Sequence, residues 1–169
     1  MKRILLFLFA LGLFGSAAAQ QGFKLGFHGS LPVSSETNNA VSLALGLDTG
    51  YLFALGEVVD LGAMAGFIHG FPEKFDVGGI DLPSVQFVPL AASARVWPSN
   101  SFSFGVDLGY ALGLSEGNDG GLYYKPILGY LFGTQTEINL SYTGIETGDA
   151  PWSTVNFGIL YTFPEDRFH

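Results

Sequence analysis

The chain contains no cysteine. No disulfide can staple it, and a lipid-anchored export signal, which needs a cysteine, is excluded. Charge is scarce too, at 13% of 169 residues, and basic charge is scarcest: seven Lys and Arg stand against 15 Asp and Glu. A surface of that sign is unsuited to nucleic acid. Long apolar runs are limited to one, Ile4 to Gly15, and its 12 residues are too few to cross a bilayer as a helix. No HExxH or EF-hand spacing occurs, so neither a metal nor another cofactor is expected.

What is present begins with that apolar run. Lys2 and Arg3 precede it and SAAAQ follows, with small residues at Ala17 and Ala19. This is the order of a secretory signal peptide, residues 1–19, with cleavage expected after Ala19. The mature unit, residues 20–169, fits one domain. Removing Lys2 and Arg3 leaves five basic residues against 15 acidic ones. The chain holds 24 glycines and 15% aromatics, with a mean hydropathy of +0.35. An exported chain of this kind without transmembrane helices has one evident way to live in a bilayer, a closed β-barrel that satisfies its own backbone.

Period-2 alternation recurs along the mature chain, which is the strand signal. Eight stretches carry it: FKLGFHG, VSLALGLDTGYLF, VVDLGAMAGFIHG, SVQFVPLAASARVW, SFSFGVDLGYALGL, LYYKPILGYLFG, TEINLSYTG and VNFGILYTF. In the fifth, Phe102, Phe104, Val106, Leu108, Tyr110, Leu112 and Leu114 form one face, and Ser103, Gly105, Asp107, Gly109, Ala111 and Gly113 the other. In the second, Val41, Leu43, Leu45, Leu47, Tyr51 and Phe53 oppose Ser42, Ala44, Gly46, Asp48 and Gly50. The fourth is least regular, and Pro89, which lacks an N–H, marks a bulge or irregular pairing there. Short breaks (LGE, PSN, GTQ) alternate strictly with long polar ones (LPVSSETNN, FPEKFDVGGIDLP, SEGNDGG, IETGDAPWS). Eight strands with alternating short and long connections predict an all-β, eight-stranded antiparallel up-and-down transmembrane β-barrel, its termini at the periplasmic end.

Residue size assigns the faces. Gly, Ala and Ser suit the narrow interior of eight strands, whereas rows of Phe, Leu and Tyr match lipid better than they fit inside. A soluble, lipocalin-like carrier would need the reverse. Aromatics gather at strand ends as expected of two interfacial girdles. Phe53, Trp97, Phe102, Tyr130, Phe132, Tyr161 and Phe163 are placed at the periplasmic end, and Phe67, Tyr110, Tyr124 and Tyr142 at the outer end.

The last strand carries the most specific motif. Asn156-Phe157-Gly158-Ile159-Leu160-Tyr161-Thr162-Phe163 reads polar, any, Gly, any, any, aromatic, any, aromatic. With the GYLFG and SYTG segments and the strand pattern, it resembles the small eight-stranded outer-membrane barrel family, which includes OmpX and the membrane domain of OmpA. The resemblance spans the whole mature chain. It implies residence in the outer membrane of a Gram-negative bacterium, contact with outer-membrane lipid and lipopolysaccharide, and a monomer. It also implies that Asn156, Gly158, Tyr161 and Phe163 are read by the barrel-assembly machinery. Family members usually end at the last aromatic, whereas PEDRFH follows here.

Seven charges fall on the inward face: Lys24, Arg95 and Lys125 against Asp48, Asp60, Asp107 and Glu137. Lys24, Asp60, Arg95 and Glu137 are placed in the periplasmic half. Buried charge is costly unless paired, so these residues are expected to form a salt-bridge network that plugs the lumen; a small pore is the alternative. His28 and Ser30, two apart, with Glu36 nearby, are the raw material of a hydrolase, and a deacylase or phospholipase is the enzymatic alternative. The outer loops carry Glu36, Glu73, Asp76, Asp81, Glu116, Asp119, Glu146 and Asp149 against Lys74 alone. That is a solvated face or an acidic contact surface, one that bridges lipopolysaccharide phosphates through divalent cations or meets a basic partner. The expected role is non-enzymatic, structural or surface-interacting, with no catalytic, cofactor or metal residues.

Overall fold

The computed structural model describes residues 20–72, 84–115, 117–148 and 151–163. The expected signal peptide and the PEDRFH tail lie outside these, as do Glu73, Lys74, Asp76, Asp81, Glu116 and Asp149. Eight strands follow one another: β1 (Gly22–Pro32), β2 (Val41–Ala54), β3 (Val59–Pro72), β4 (Val85–Val96), β5 (Phe102–Gly113), β6 (Gly121–Phe132), β7 (Thr136–Glu146) and β8 (Trp152–Phe163). Each pairs antiparallel with the next, and β8 returns to β1 to close the barrel, with Phe163 opposite Phe23. Closure leaves no sheet edge, so strand pairing rather than water satisfies most of the backbone. The strands run 11 to 14 residues, enough to cross a hydrocarbon layer at a barrel's tilt.

The start of β1, the end of β8 and the three short turns share one end of the barrel, and the longer connections join the strands at the other. The turn end is laced by backbone bonds: Trp97 N–H donates to the Val58 carbonyl, Leu131 N–H to Ser101 and Thr162 N–H to Gln135. At the loop end the first connection holds a short helix, α1 (Ser35–Ala40), where a polar loop was expected. Ser34 caps it, its Oγ accepting from Thr37 N–H at 3.2 Å, and Glu36 sits in the first turn where the exposed N–H groups favour an anion.

Which face points out is settled by burial. Phe157, Phe104, Leu122, Leu47, Leu90 and Leu140 are exposed, and all eight strands present large apolar side chains to the surroundings. A soluble protein does not expose an apolar band of this extent. The lumen is lined on the other parity by residues such as Lys24, Ala44, Ser103, Asp107, Lys125, Ser141 and Asn156, all buried.

Two placements depart from the sequence reading. Val41 is fully buried, not lipid-facing, because the β2–β3 register slips between Val41 and Leu43. A one-residue slip moves a side chain to the opposite face. Trp97, expected in the periplasmic girdle, is 1% exposed and points inward, continuing the luminal face of Ser93 and Arg95. The irregularity expected at Pro89 is an interrupted pairing, not a bulge: β3 and β4 part at Gly66–Phe67 and resume at Ile68↔Phe87 in the same register.

Candidate functional site

The lumen is filled in layers. Toward the loop end an apolar plug joins Val41, Ala44, Ile68, Phe87, Ala111, Tyr123, Ile145 and Trp152, with the Phe87 and Trp152 rings edge to face at 5.3 Å. At the turn end Trp97 packs on Leu131 and Val58. Between these lie the charges, each positioned by the inward parity of its strand.

All seven predicted charges are luminal, but they form two ionic clusters and three neutral-partnered groups. Asp48 Oδ2 accepts from Lys125 Nζ at 2.7 Å and faces His28 Nδ1 at 3.0 Å. Asp107 Oδ1 accepts from Arg95 Nη1 at 2.9 Å and from Ser93 Oγ at 2.6 Å. Lys24 Nζ donates to Thr162 Oγ1 at 2.7 Å. Asp60 Oδ2 accepts from Trp97 Nε1 at 2.7 Å, and Glu137 Oε2 from Ser103 Oγ at 3.1 Å. Asp60 and Arg95 stand opposite each other on β3 and β4, yet Arg95 reaches the other way, to Asp107 on β5. His28 joins the network, a member that charge counting alone had left out.

The hydrolase constellation does not assemble. The acid on His28 is Asp48 from β2, not Glu36, which lies on α1. His28 Nε2 and Ser30 Oγ are each buried without a hydrogen-bond partner among the described residues, so the serine is not bonded to the imidazole. Both side chains are only 2% exposed and face the lumen, away from lipid.

The four residues of the C-terminal motif divide by parity. Asn156 points inward, its Nδ2 donating to Thr143 Oγ1 at 2.9 Å and Ser141 Oγ at 3.1 Å while its Oδ1 accepts from Thr154 Oγ1 at 2.8 Å. Gly158 gives room to His28 on the adjoining strand. Tyr161 and Phe163 face out at the turn end, edge to face at 4.8 Å, and the Tyr161 hydroxyl donates to Gln135 Oε1 at 2.6 Å.

Above the apolar plug, the loop-end mouth holds a cavity of about 280 Å³. Phe87, Val85 and Trp152 form its apolar wall, Asn118 is polar, and Glu36 and Asp119 are its charged members; among the described residues no Lys or Arg lines it. Thr37 stitches the mouth together, its Oγ1 accepting from Ser153 N–H at 2.9 Å. Among the described residues no three His, Asp or Glu side chains gather to hold a metal ion.

A closed eight-stranded barrel with an apolar exterior and a filled, charged interior defines the class of small transmembrane β-barrels. No family model matches the chain, and no curated relative does. Among solved structures it is similar to Ail, the attachment invasion locus protein of Yersinia pestis. The TM-score is 0.59 at 15% identity, covering 86% of this chain and 99% of that one. The same protein in a phospholipid bilayer nanodisc gives 0.59 at 16% identity, covering 86% and 100%. A de novo designed transmembrane β-barrel gives 0.51 at 12%, covering 87% and 99%. The fold implied by the resemblance in the sequence is therefore the fold observed.

Proposed function

We propose that this protein is an exported, monomeric barrel of the outer membrane, non-enzymatic, whose lumen is closed and whose working surface is the loop-end mouth. In this reading the residue 1–19 segment directs export. Asn156, Gly158, Tyr161 and Phe163 serve the assembly machinery, and the exposed apolar band meets lipid and the lower part of lipopolysaccharide. The fold it shares with Ail, in a crystal and in a bilayer nanodisc, supports the membrane setting.

The observation that carries the surface-contact role is the mouth itself: a cavity above a blocked lumen, lined among the described residues by Glu36 and Asp119 and by no basic residue. Its sign favours a basic partner. Ail has been crystallised with the heparin analogue sucrose octasulfate, a polyanion; the acidic mouth here is built for the opposite charge. Bridging through a divalent ion is less favoured, since no ready-made carboxylate cluster is present among the described residues.

The test uses the full protein in lipid vesicles, with an oligolysine peptide and heparin as probes. Oligolysine should bind, weaken steeply with salt, and lose most of its affinity in the Glu36→Gln/Asp119→Asn/Glu146→Gln variant. Binding of heparin in preference to oligolysine refutes the assignment.

A further inference from the structure

Gln20 spans the turn-end mouth of the lumen with three hydrogen bonds. Its backbone nitrogen donates to Asp60 Oδ2 at 3.1 Å, its Nε2 donates to the Thr134 carbonyl at 2.7 Å, and its Oε1 accepts from Thr162 Oγ1 at 3.1 Å. Thr162 Oγ1 in turn accepts from Lys24. One residue thus ties β3, the β6–β7 turn and β8 together across the opening.

Asp60 is, with Glu137, one of two luminal carboxylates that face neutral donors and no cation among the described residues. It has no exposed surface, its Oδ2 receives only the Trp97 indole and the Gln20 nitrogen, and its Oδ1 has no partner among the described residues. Asp48 and Asp107 each hold a cation within 3 Å, whereas Asp60 holds none among the described residues. Burying a carboxylate against neutral donors alone is expensive.

Gln20 is also the residue that follows the expected cleavage site. While the leader is attached, its nitrogen is an amide with one hydrogen and no charge. Hydrolysis adds water across the Ala19–Gln20 bond: the carboxylate stays with Ala19, and the nitrogen of Gln20 becomes an amine that takes up a proton. That ammonium, with three donors, arises within hydrogen-bond reach of Asp60. We propose that leader removal supplies the missing partner of Asp60, so that the new N-terminus becomes a luminal cation that closes the turn end of the barrel. The inference rests on the export reading above.

A second consequence concerns the side chain. A free N-terminal glutamine cyclises when its amine attacks Cδ, forming the N–Cδ bond and expelling Nε2 as ammonia. Here the nitrogen is held by Asp60 and the amide by Thr134 and Thr162, so the folded chain keeps its charged amine.

The experiment starts with the mass of the protein purified from the membrane after export. A chain beginning at Gln20 satisfies the cleavage assignment; any other first residue refutes the proposal at that step while leaving the ion-pair chemistry unblamed. The Gln20 chain is then acetylated unfolded near neutral pH, where the α-amine reacts before lysine, and refolded in detergent. Acetylation should lower the thermal midpoint of the wild type by several degrees and leave Asp60→Asn unchanged. Equal shifts in both, or none in either, overturn the ion pair. Should Asp60→Asn fail to refold, ammonia loss decides: the folded wild type should retain Gln20 while the urea-unfolded chain cyclises, and equal rates overturn the proposal.

Discussion

The imidazole of His28 lies over Gly46, its partner across β1 and β2, so closely that a Cβ at Gly46 would overlap the ring. Gly158, its partner on β8, leaves room on the other side. Two glycines from neighbouring strands thus make the slot in which His28 reaches Asp48. Gly46→Val should force the ring out, weaken the Asp48 cluster and cost about 1–3 kcal/mol, the usual range for overpacking. Gly29→Ala, where a Cβ meets nothing within 4 Å, is the control and should be nearly neutral. The temperature at which the folded band is lost on gels reads both.

Asp48 holds two buried partners, so removing it should hurt more than removing the whole cluster. Asp48→Asn leaves Lys125, 3% exposed, without its carboxylate, a loss of about 3–5 kcal/mol for a broken buried pair. Replacing both residues, as in Asp48→Leu/Lys125→Met, should recover most of it. Urea unfolding of the protein in lipid vesicles measures each; a double variant weaker than the single one contradicts the account.

The lumen is stoppered by side chains rather than by charge alone. Wild-type protein in a planar bilayer should show no steady conductance. Phe87→Ala/Tyr123→Ala/Trp152→Ala strips three rings from the apolar plug and should produce small, reproducible currents. Currents of equal size in the wild type would refute a filled interior.

Most of the barrel is readable in the sequence because lipid and lumen impose opposite demands on alternate residues. That parity places the seven charges on the inward face, where the structure has them. What escaped reading follows from places where parity is broken or was set aside. Val41 lies beyond a register slip that no residue type announces. Trp97 has the parity of Arg95, and Trp152 that of Asn156, so both were legible as luminal; position at a strand end misled for the first. Which charge meets which could not be read, because Arg95 chooses between Asp60 beside it and Asp107 across β4 and β5 by side-chain reach alone.

The exterior gives the sharpest contrast between a lipid and a water environment. Phe157, 63% exposed near the middle of β8, should meet lipid. Phe157→Arg is expected to cost about 2–4 kcal/mol of folding free energy in vesicles, as a cation does near the midplane of a transmembrane barrel. In a water-exposed setting the same change would be neutral or improve solubility. Vesicle-folding titrations with urea separate the two outcomes.

His28, Asp48 and Ser30 invite a last comparison with a catalytic triad. The Asp48–His28 bond orients the imidazole as a base would need, but Ser30 Oγ makes no bond to it. Both are enclosed by the barrel wall, where a lipid ester could reach them only by displacing the packed interior. A base that cannot receive the nucleophile's proton gives no activation. Purified protein in vesicles should therefore release no fatty acid from phospholipid or lipid A above the rate of a heat-unfolded control, and Ser30→Ala should leave that rate unchanged. The substitution should alter stability only slightly, since the hydroxyl it removes has no partner to lose among the described residues. A hydrolysis rate that falls at least tenfold in Ser30→Ala, about 1.4 kcal/mol of lost barrier lowering, would mean that the lumen opens to substrate and that the closed reading of the barrel is wrong.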